Sequence, residues 1–342
     1  MEDDKMFNFD KERFIKIQTG ALALKDEINS VIDAEFEKGI SSLFFLGSGG
    51  AGILMEPAEF IMKNNSKLPT FTVITAEFML TNHQYFDENS LVVLPSLSGT
   101  TEETIKVAQF CKEKGATTIA LVGNAGTPLT EVADYTFVNF AEDDTSCESF
   151  YLQSYLIVFR LMYRRNEFPQ YEQVVNELSL VPEALLKVKE ETEERAAQFA
   201  EKYKDEGYHI LVGSGNSYAQ TYYYGMCILE EMQWIKTRPV HAADFFHGTL
   251  ELVEKDTSII LLKGEDETRP LTDRVQNFAE GYTNELTIFD TKDYELDGIS
   301  TEVRGYLSPV ILATLLERVS CHIEKERDHP LTTRRYYRRV KY

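Results

Sequence analysis

The chain has 342 residues, of which 43% are hydrophobic, and it carries a formal net charge of −21 at pH 7. This length exceeds one ordinary core and predicts two globular domains, each with enough apolar side chains to bury. The acidic charge argues against nucleic acid or an anionic membrane as a partner, because a polyanion would be repelled before contact. An anionic ligand would therefore need a local concentration of hydrogen-bond donors.

Four widely spaced cysteines contain no CxxC pair, which favours buried thiols in a reducing compartment over disulfides or metal ligands. The acidic start of the sequence is followed by no apolar segment of the kind found in secretory signals, so we expect a cytoplasmic protein. Apolar runs such as 155–159 and 309–316 are shorter than the roughly 20 residues that span a bilayer, which indicates no membrane role.

In the first half of the chain, short β-branched or aromatic runs alternate with longer helical patterns, which is typical of βαβ units with a parallel sheet. The predicted strands are 42–46, 71–75, 91–94, 117–122 and 135–138. Glycine-bearing loops follow the first, third and fourth strands, at 47–50, 96–99 and 123–126. Because doubly wound sheets bind ligands at the carboxyl ends of their strands, we expect a site there.

The segment from Glu148 to about Lys204 predicts two long helices with breaks at Pro169 and Pro182, and we interpret it as the joint between the halves. A second alternation follows, with strands predicted at 208–212, 239–243, 258–262 and 285–289. Helices are predicted near 217–234, 270–282 and 309–325.

The two halves repeat each other. Residues 45–49, FLGSG, recur as residues 211–215, LVGSG, in each case as a strand, a glycine turn and a helix. An internal duplication of one fold explains this pattern. We therefore expect an α/β protein with two tandem domains, each a doubly wound parallel sheet flanked by helices. The domains should span 20–175 and 180–328, followed by a basic C-terminal tail, 329–342.

The 96–101 loop, SLSGTT, follows a predicted strand and opens a helical pattern at Glu102. Its hydroxyls and backbone N–H groups at a positive helix end suit a dianionic phosphate. A helix cap combined with a turn would use the same residue types, and this alternative stays open. Neither this loop nor the 47–50 loop has the P-loop lysine or the full GxGxxG fingerprint, which disfavours nucleotides.

With these loops the chain resembles the SIS (sugar isomerase) domain family, in which a five-stranded parallel sheet binds phosphosugars through a serine- and threonine-rich loop. The matching positions are Ser96, Ser98, Gly99 and Thr101. The stretches EMQW (231–234), FFHG (245–248) and HPLTTRRY (329–336) are similar to the fructoselysine 6-phosphate and fructose-asparagine 6-phosphate deglycases. The isomerase half of glucosamine-6-phosphate synthase is similar too, and shares a glutamate followed sixteen positions later by His-Gly.

The resemblance implies that Glu231 is a general base and that His247 is its acid–base partner. Spacing alone does not choose between Glu230 and Glu231, because neighbours on a helix point about 100° apart. Asp244 is a plausible N-cap for a helix running toward Glu251. His247 would then lie in a first helical turn, where the dipole opposes a cation. A solvated glutamate and a histidine packed beside two phenylalanines are the structural alternatives.

Related isomerases take the equivalent histidine from the neighbouring subunit, so the resemblance also implies a shared site in a homodimer or larger homo-oligomer. The residues assigned to substrate or phosphate contacts are Ser48, Gly49, Ser96, Ser98, Thr101, Ser214, His329 and Arg334. The last two belong to a tail that closes over the site, or that stays solvated and neutralises the acidic body. We expect no metal or other cofactor, because the histidines lack HxxxH spacing and the substrate's amine nitrogen can serve as the electron sink.

The implied activity is cleavage of a phosphorylated Amadori-type sugar–amino acid. A base removes a proton next to the carbonyl or iminium carbon of the open-chain ketosamine, and the resulting enaminol is reprotonated at the adjacent carbon. Water then hydrolyses the aldimine to an aldose 6-phosphate and an amino acid. An aldose–ketose isomerase of an amino sugar phosphate and a non-catalytic phosphosugar sensor are the rival interpretations. Deglycases usually carry Gly-Glu where this chain has Ala243-Asp244, which leaves the substrate's amino acid open.

Overall fold

The structure, a computed structural model, describes residues 6–141, 147–337 and 339–341. It divides the chain into two compact units. The N-terminal unit is Glu12–Pro182, and the C-terminal unit is Glu183–Tyr342 together with Met1–Lys11. The start of the chain is bound to the C-terminal unit through contacts such as the hydrogen bond from the Phe7 N–H to Glu193 Oε1, at 2.8 Å.

The N-terminal unit contains a five-stranded parallel sheet with the strand order β2-β1-β3-β4-β5. Its strands are β1 (Ser42–Leu46), β2 (Thr70–Val73), β3 (Ser90–Ser96), β4 (Thr117–Val122) and β5 (Tyr135–Val138). Its helices are α1 (Lys11–Ala23), α2 (Lys25–Lys38), α3 (Gly50–Ile53), α4 (Glu56–Asn65), α5 (Thr75–Leu80), α6 (Glu102–Glu113), α7 (Pro128–Val132), α8 (Glu148–Arg164) and α9 (Tyr171–Leu178). The strand order reverses between β1 and β3, where doubly wound folds place a ligand crevice.

β1 and β3 are buried along their whole length. Their apolar side chains reach both faces of the sheet, because helices cover both faces of a parallel sheet. Phe44 and Leu46 of β1, Val92 and Leu94 of β3 and Val107 of α6 pack in one apolar cluster. This core fixes the ends of the two strands, and with them the loops that follow.

The C-terminal unit contains a four-stranded parallel sheet with the order β7-β6-β8-β9. Its strands are β6 (Tyr208–Gly213), β7 (Lys236–His241), β8 (Ile259–Lys263) and β9 (Leu286–Asp290). Its helices are α10 (Val181–Tyr203), α11 (Ser217–Tyr223), α12 (Ala242–Phe245), α13 (Arg269–Tyr282) and α14 (Thr301–Arg327), with a π-helix (Tyr224–Glu230) directly after α11 and 3₁₀ turns at Thr249–Leu252 and Thr291–Asp293. This strand order repeats β2-β1-β3-β4, which supports an internal duplication.

The predicted α/β class with two parallel sheets flanked by helices is confirmed. Every predicted strand is present, and β1, β4 and β5 have the predicted bounds. β7 begins at Lys236, three residues before the predicted start, and contains Pro239. Because β7 is an edge strand, it tolerates a proline that cannot donate to a ladder.

The segment 148–204 contains three helices, α8, α9 and α10, instead of the predicted two. The chain breaks at Pro169, between α8 and α9, and just before Pro182, the second residue of α10, where the missing N–H costs no helical bond. Pro309 lies inside α14 rather than at its start. Pro309 has no N–H, so it cannot donate the usual helical hydrogen bond to the Gly305 carbonyl. That carbonyl instead accepts a hydrogen bond from Asn216 Nδ2 at 2.7 Å.

The cysteines are Cys111, Cys147, Cys227 and Cys321; none of them forms a disulfide, and all four are buried. Burial raises the pKa of the Cys111 thiol to about 12, so this group stays protonated at neutral pH. Across the described ranges, no helix combines the length and the apolar character that crossing a bilayer requires.

His209 in β6 predicts a pH-dependent loss of stability. It is buried, and its Nδ1 lies 2.7 Å from Ser258 Oγ. Burial lowers its pKa from 6.5 to about 4. Between these two values, His209 is protonated in the unfolded chain and neutral in the folded one. The stability of the fold therefore decreases as pH drops from 6.5 toward 4. We expect this group to cost about 2 kcal/mol of unfolding free energy at pH 5 relative to pH 8.

The matched variant is His209→Asn, which keeps a hydrogen-bonding group near Ser258 and removes the titration. Urea unfolding at pH 8 and pH 5 should show a smaller pH-dependent loss in the variant than in the wild type. An equal loss in both proteins would show that His209 is not the group responsible.

Candidate functional site

The 96–101 loop joins the end of β3 to the start of α6 at the carboxyl edge of the N-terminal sheet. Ser96 Oγ lies 3.5 Å from Thr101 Oγ1. Ser98 Oγ accepts hydrogen bonds from the Thr100 N–H at 3.3 Å and from the Thr100 hydroxyl at 2.9 Å. The Thr101 side chain makes no capping bond to α6, so the positive end of the α6 dipole faces this loop.

Gly99 holds the loop in shape and brings it close to Thr127. It has φ +61°, in the left-handed region that favours glycine. A Cβ at this position would lie 2.1 Å from Thr127 Oγ1 and 2.6 Å from Thr127 Cβ. Thr127 is 9% exposed, and its hydroxyl has no hydrogen-bond partner among the described residues. Because an unpartnered buried hydroxyl is costly, Thr127 is a further candidate ligand contact.

Ser48 and Gly49 lie in the neighbouring loop, which follows β1. Ser48 Oγ lies 2.5 Å from Thr75 Oγ1 and donates to Glu103 Oε2 at 3.3 Å. Glu103 belongs to the first turn of α6, so this bond joins the loop after β1 to the helix that follows β3. Gly49 is exposed and has φ +60°. The two glycine loops therefore share one edge of the sheet.

In the C-terminal unit, a carboxylate fills the corresponding loop. Asp266 accepts hydrogen bonds from the Asn216 N–H at 2.9 Å and from Thr268 Oγ1 at 2.5 Å. Thr268 Oγ1 in turn lies 2.9 Å from Ser214 Oγ. A Cβ at Gly215 would lie 2.3 Å from Asp266 Oδ2, so the loop is shaped around this carboxylate. A phosphate at Ser214 would meet a negative charge of the protein itself.

Glu231 directly follows the π-helix, and its N–H donates to the Met226 carbonyl at 3.1 Å. Such π-helical turns are rare and occur often at functional sites. The adjacent glutamates have different partners. Glu230 Oε1 accepts from the Thr237 N–H at 3.2 Å and from the Thr237 hydroxyl at 2.6 Å. Glu231 Oε1 instead pairs with Arg334 Nε at 2.9 Å.

The C-terminal segment, residues 329–337, lies against the turn that contains Glu231. The His329 carbonyl accepts a hydrogen bond from Gln233 Nε2 at 2.6 Å, and the His329 ring centroid lies 4.5 Å from that of Trp234. The Arg335 guanidinium lies 3.9 Å from the centroid of the Trp234 ring. This segment therefore packs on its own unit, while Arg335, Tyr336 and Tyr337 stay exposed.

A pocket of about 310 Å³ opens between the C-terminal segment and this turn. Its lining residues are Glu230, Glu231, Trp234, Arg334, Arg335, Tyr336 and Tyr337. Two of the predicted site residues, Glu231 and Arg334, thus lie together. The Glu231 side chain is 32% exposed, which leaves it accessible to a ligand, whereas Arg334 is 15% exposed and contacts a carboxylate of the protein.

His247 is not among the residues that line this pocket; it lies in an exposed turn after α12. The predicted N-cap is wrong, because His241 caps α12 by accepting from the Ala243 N–H at 3.2 Å, and Asp244 lies inside the helix. α12 ends at Phe245 after four residues. His247 therefore does not occupy a first helical turn, and the dipole argument for its charge state does not apply.

Three residues that complete the glycine loops were not predicted from the sequence: Thr75, Thr127 and Asp266. Thr127 precedes Pro128, a pair typical of a helix start, so a signal for its position was available. Asp266 follows β8, which corresponds to β3 in the repeated strand order. The duplication could therefore have indicated that a residue after β8 would approach the second glycine loop.

The candidate residues provide hydroxyls, backbone amides and one ion pair. Within residues 6–141, 147–337 and 339–341, no three His, Cys, Asp or Glu side chains are grouped as metal ligands. The chemistry that these side chains can support is anion binding and proton transfer.

Comparison with known proteins extends these observations. Residues 39–162 match the SIS domain family. The chain is 34% identical over 307 residues to fructosamine deglycase FrlB of Bacillus subtilis, covering 89% of this chain and 94% of that protein. It is 25% identical over 310 residues to fructoselysine 6-phosphate deglycase of Escherichia coli K12, covering 91% and 89%. A solved Bacillus subtilis structure, provisionally named a phosphosugar isomerase, has a TM-score of 0.88 at 34% identity and covers 95% of this chain and 100% of that one.

A five-stranded parallel sheet with a serine- and threonine-rich loop at its carboxyl edge is the architecture of a SIS-domain protein. Similarity to FrlB extends over nearly the whole of both chains. The chain belongs to the SIS-domain deglycase family, and it is an enzyme.

Gly99→Ala tests whether the 96–101 loop requires its close contact with Thr127. The matched control is Gly126→Ala, since Gly126 has a similar φ, +69°, with nothing within 4 Å of an added Cβ. Both variants adopt an unfavourable left-handed alanine, at roughly 1–2 kcal/mol. Gly99→Ala also overpacks against Thr127, so we expect it to lose about 1–3 kcal/mol more unfolding free energy.

Chemical unfolding of the two variants and the wild type measures this difference. Equal destabilisation by the two alanines would show that Thr127 can move away from the loop without cost.

Proposed function

We propose that this enzyme cleaves a phosphorylated Amadori-type sugar–amino acid to a sugar 6-phosphate and a free amino acid. The observation that carries the proposal is the Glu231 carboxylate, ion-paired and still accessible, in a chain that also has a hydroxyl-rich loop at a helix start. The names of two relatives, fructosamine deglycase and fructoselysine 6-phosphate deglycase, support this reaction class.

In this proposal the 96–101 loop binds the phosphate. The positive end of the α6 dipole and the hydroxyls of Ser96, Ser98 and Thr101 supply the local donors that an anion needs on a protein of net charge −21. The unpartnered hydroxyl of Thr127 is a further donor beside Gly99. Ser48 and Gly49 flank the same edge of the sheet. Ser214 is not included, because Asp266 already occupies its loop.

Glu231 acts as the general base. In the open-chain ketosamine it removes a proton from the carbon that lies between the amine nitrogen and the carbonyl carbon; the electron pair moves to the carbonyl oxygen, which takes up a proton, and an enaminol results. Returning a proton to the former carbonyl carbon, as the nitrogen lone pair forms a C=N bond, gives an aldimine, and one water molecule hydrolyses this bond to an aldehyde and an amine. Each well-positioned acid or base in such a sequence contributes roughly 10²–10⁴ in rate.

His247 is the proposed partner that assists ring opening or protonation. Its exposed position fits a side chain that serves the site of a neighbouring subunit, as the family resemblance implies. A homodimer with shared sites is therefore part of the proposal. His329 and Arg334 contribute through the C-terminal segment, which lies beside Glu231.

Incubation with a panel of phosphorylated conjugates tests the reaction and the base together. The panel contains fructoselysine 6-phosphate, glucoselysine 6-phosphate and fructose-asparagine 6-phosphate, with released sugar phosphate and amino acid measured by mass spectrometry. We expect wild-type release from at least one conjugate. Glu231→Gln should reduce turnover roughly 10²–10⁴-fold, because an amide cannot accept the proton, while binding of the conjugate is retained.

The control is Glu230→Gln, which removes a charge from the adjacent position and keeps the Oε1 acceptor for Thr237. It should retain most of the activity. A fully active Glu231→Gln enzyme would refute the assignment of the base. Interconversion of amino sugar phosphates without amine release would favour the isomerase, and binding without turnover of any compound would favour the sensor.

A further inference from the structure

Trp234 has a backbone conformation that is unfavourable for its residue type. Its φ is +57°, and the other described non-glycine residues with positive φ are Asn8, Asn166 and Asp328, of types that tolerate this region. Its N–H donates to the Glu230 carbonyl at 3.2 Å, and the Ile235 N–H donates to the Leu229 carbonyl at 2.9 Å. The first of these is the 5→1 bond of the αL C-cap motif, in which glycine is the usual residue at the left-handed position. A tryptophan at this position destabilises the turn, which points to a use for its side chain.

The Trp234 indole is a platform for the C-terminal segment. Its ring makes an edge contact with His329 at a centroid distance of 4.5 Å, and the Arg335 guanidinium lies 3.9 Å from its centroid. Gln233 Nε2 holds the His329 carbonyl at 2.6 Å. His329 and Arg335, the two ends of this stretch, therefore contact Gln233 and Trp234, which follow Glu231 by two and three positions.

Arg334 lies between these two anchors, and its guanidinium is oriented by the segment itself. Its Nη1 donates to the Leu331 carbonyl at 2.6 Å and to the Thr333 carbonyl at 3.0 Å. With Nη1 committed to these carbonyls, Nε is directed to Glu231 Oε1 at 2.9 Å. The geometry of the pair thus depends on where the segment lies, and the segment lies where Trp234 holds it.

We propose that Trp234 is a positioning residue for the reaction, which docks the C-terminal segment so that Arg334 is held against the Glu231 carboxylate and orients it. This inference rests on the proposed function of Glu231 as the base. Without the docked segment, a base in a partly covered pocket of an acidic protein would hold its proton more readily, because neighbouring carboxylates and burial both disfavour its charge. Trp234 acts through Arg334 and needs no contact with the substrate.

Other charged or titratable groups face this region. Those that line the pocket with Glu231 are Glu230, Arg334, Arg335, Tyr336 and Tyr337. From α14, Glu324 accepts a hydrogen bond from the Leu331 N–H at 2.9 Å, and Arg327 donates to the Gln233 carbonyl at 3.5 Å. His329 is held on Trp234. Arg334 makes an ion pair with Glu231, so its removal should change the charge around the proposed base.

The test is the pH dependence of kcat/KM for the conjugate that the wild type cleaves. Arg334→Gln should move the acidic limb of the profile upward by about one pH unit or more, and lower kcat at pH 6 about tenfold, with a smaller change in KM. Trp234→Ala should move the limb in the same direction. The double variant should move it no further than Arg334→Gln alone, and Trp234→Phe, which keeps an aromatic face, should restore much of the wild-type profile.

Arg339→Gln is the control, since it removes a charge from the same tail beyond the docked segment, and its profile should match the wild type. A wild-type acidic limb in Arg334→Gln would overturn the proposal. The proposal would also be overturned if Trp234→Ala lost activity equally at all pH values, because a merely structural role for Trp234 predicts that result. An active Glu231→Gln enzyme would instead refute the proposed function, so the two failures are distinguishable.

Discussion

Arg334 and Glu231 meet at 2.9 Å, and the features around them serve this contact. In the proposed reaction Glu231 takes a proton from carbon, a role that requires an ionised carboxylate. On a protein of net charge −21, a cation fixed beside that carboxylate favours the role. Arginine suits this role because it stays charged and its planar guanidinium binds several acceptors at once. The π-helix, the left-handed Trp234 and the docked segment all determine where this pair lies.

The two units show how a duplicated fold can diverge in charge. The loop after β3 presents hydroxyls and a helix start, and the Thr127 hydroxyl beside it has no partner within the described ranges. The loop after β6 repeats the glycine pattern of the loop after β1, and in it Asp266 accepts hydrogen bonds from the Asn216 N–H and from Thr268 Oγ1. A carboxylate of the protein therefore fills this loop of the second copy.

Local sequence patterns predicted the strands, because strand formation depends mainly on residues that are neighbours in the chain. β1, β4 and β5 were predicted at their observed bounds, because each is a short run of β-branched, aromatic and apolar residues of the kind typical of strands. Long-range partners were not predictable in this way. Asp266 fills the Ser214 loop from 52 positions away along the chain, and Asn216 replaces the donor that Pro309 lacks in α14. The helix expected at His247 fails because His241, and not Asp244, supplies the cap.

Glu231 and Arg334 lie 103 positions apart, and no periodicity connects them. The family resemblance indicated each residue separately, and the structure shows that one is the partner of the other. Arg334 was expected to meet an anion of the substrate. The observed partner is the Glu231 carboxylate, the proposed base, which favours a positioning role for Arg334 over a binding role.

A crystal structure of the Glu231→Gln enzyme with an uncleaved phosphorylated conjugate would test the central claim most directly. The phosphate should lie on the 96–101 loop, and residue 231 should lie beside the carbon next to the ligand's amine, within one subunit or across a pair of subunits. A conjugate whose phosphate binds elsewhere, or whose reacting carbons lie far from residue 231 in every subunit pairing, would contradict it.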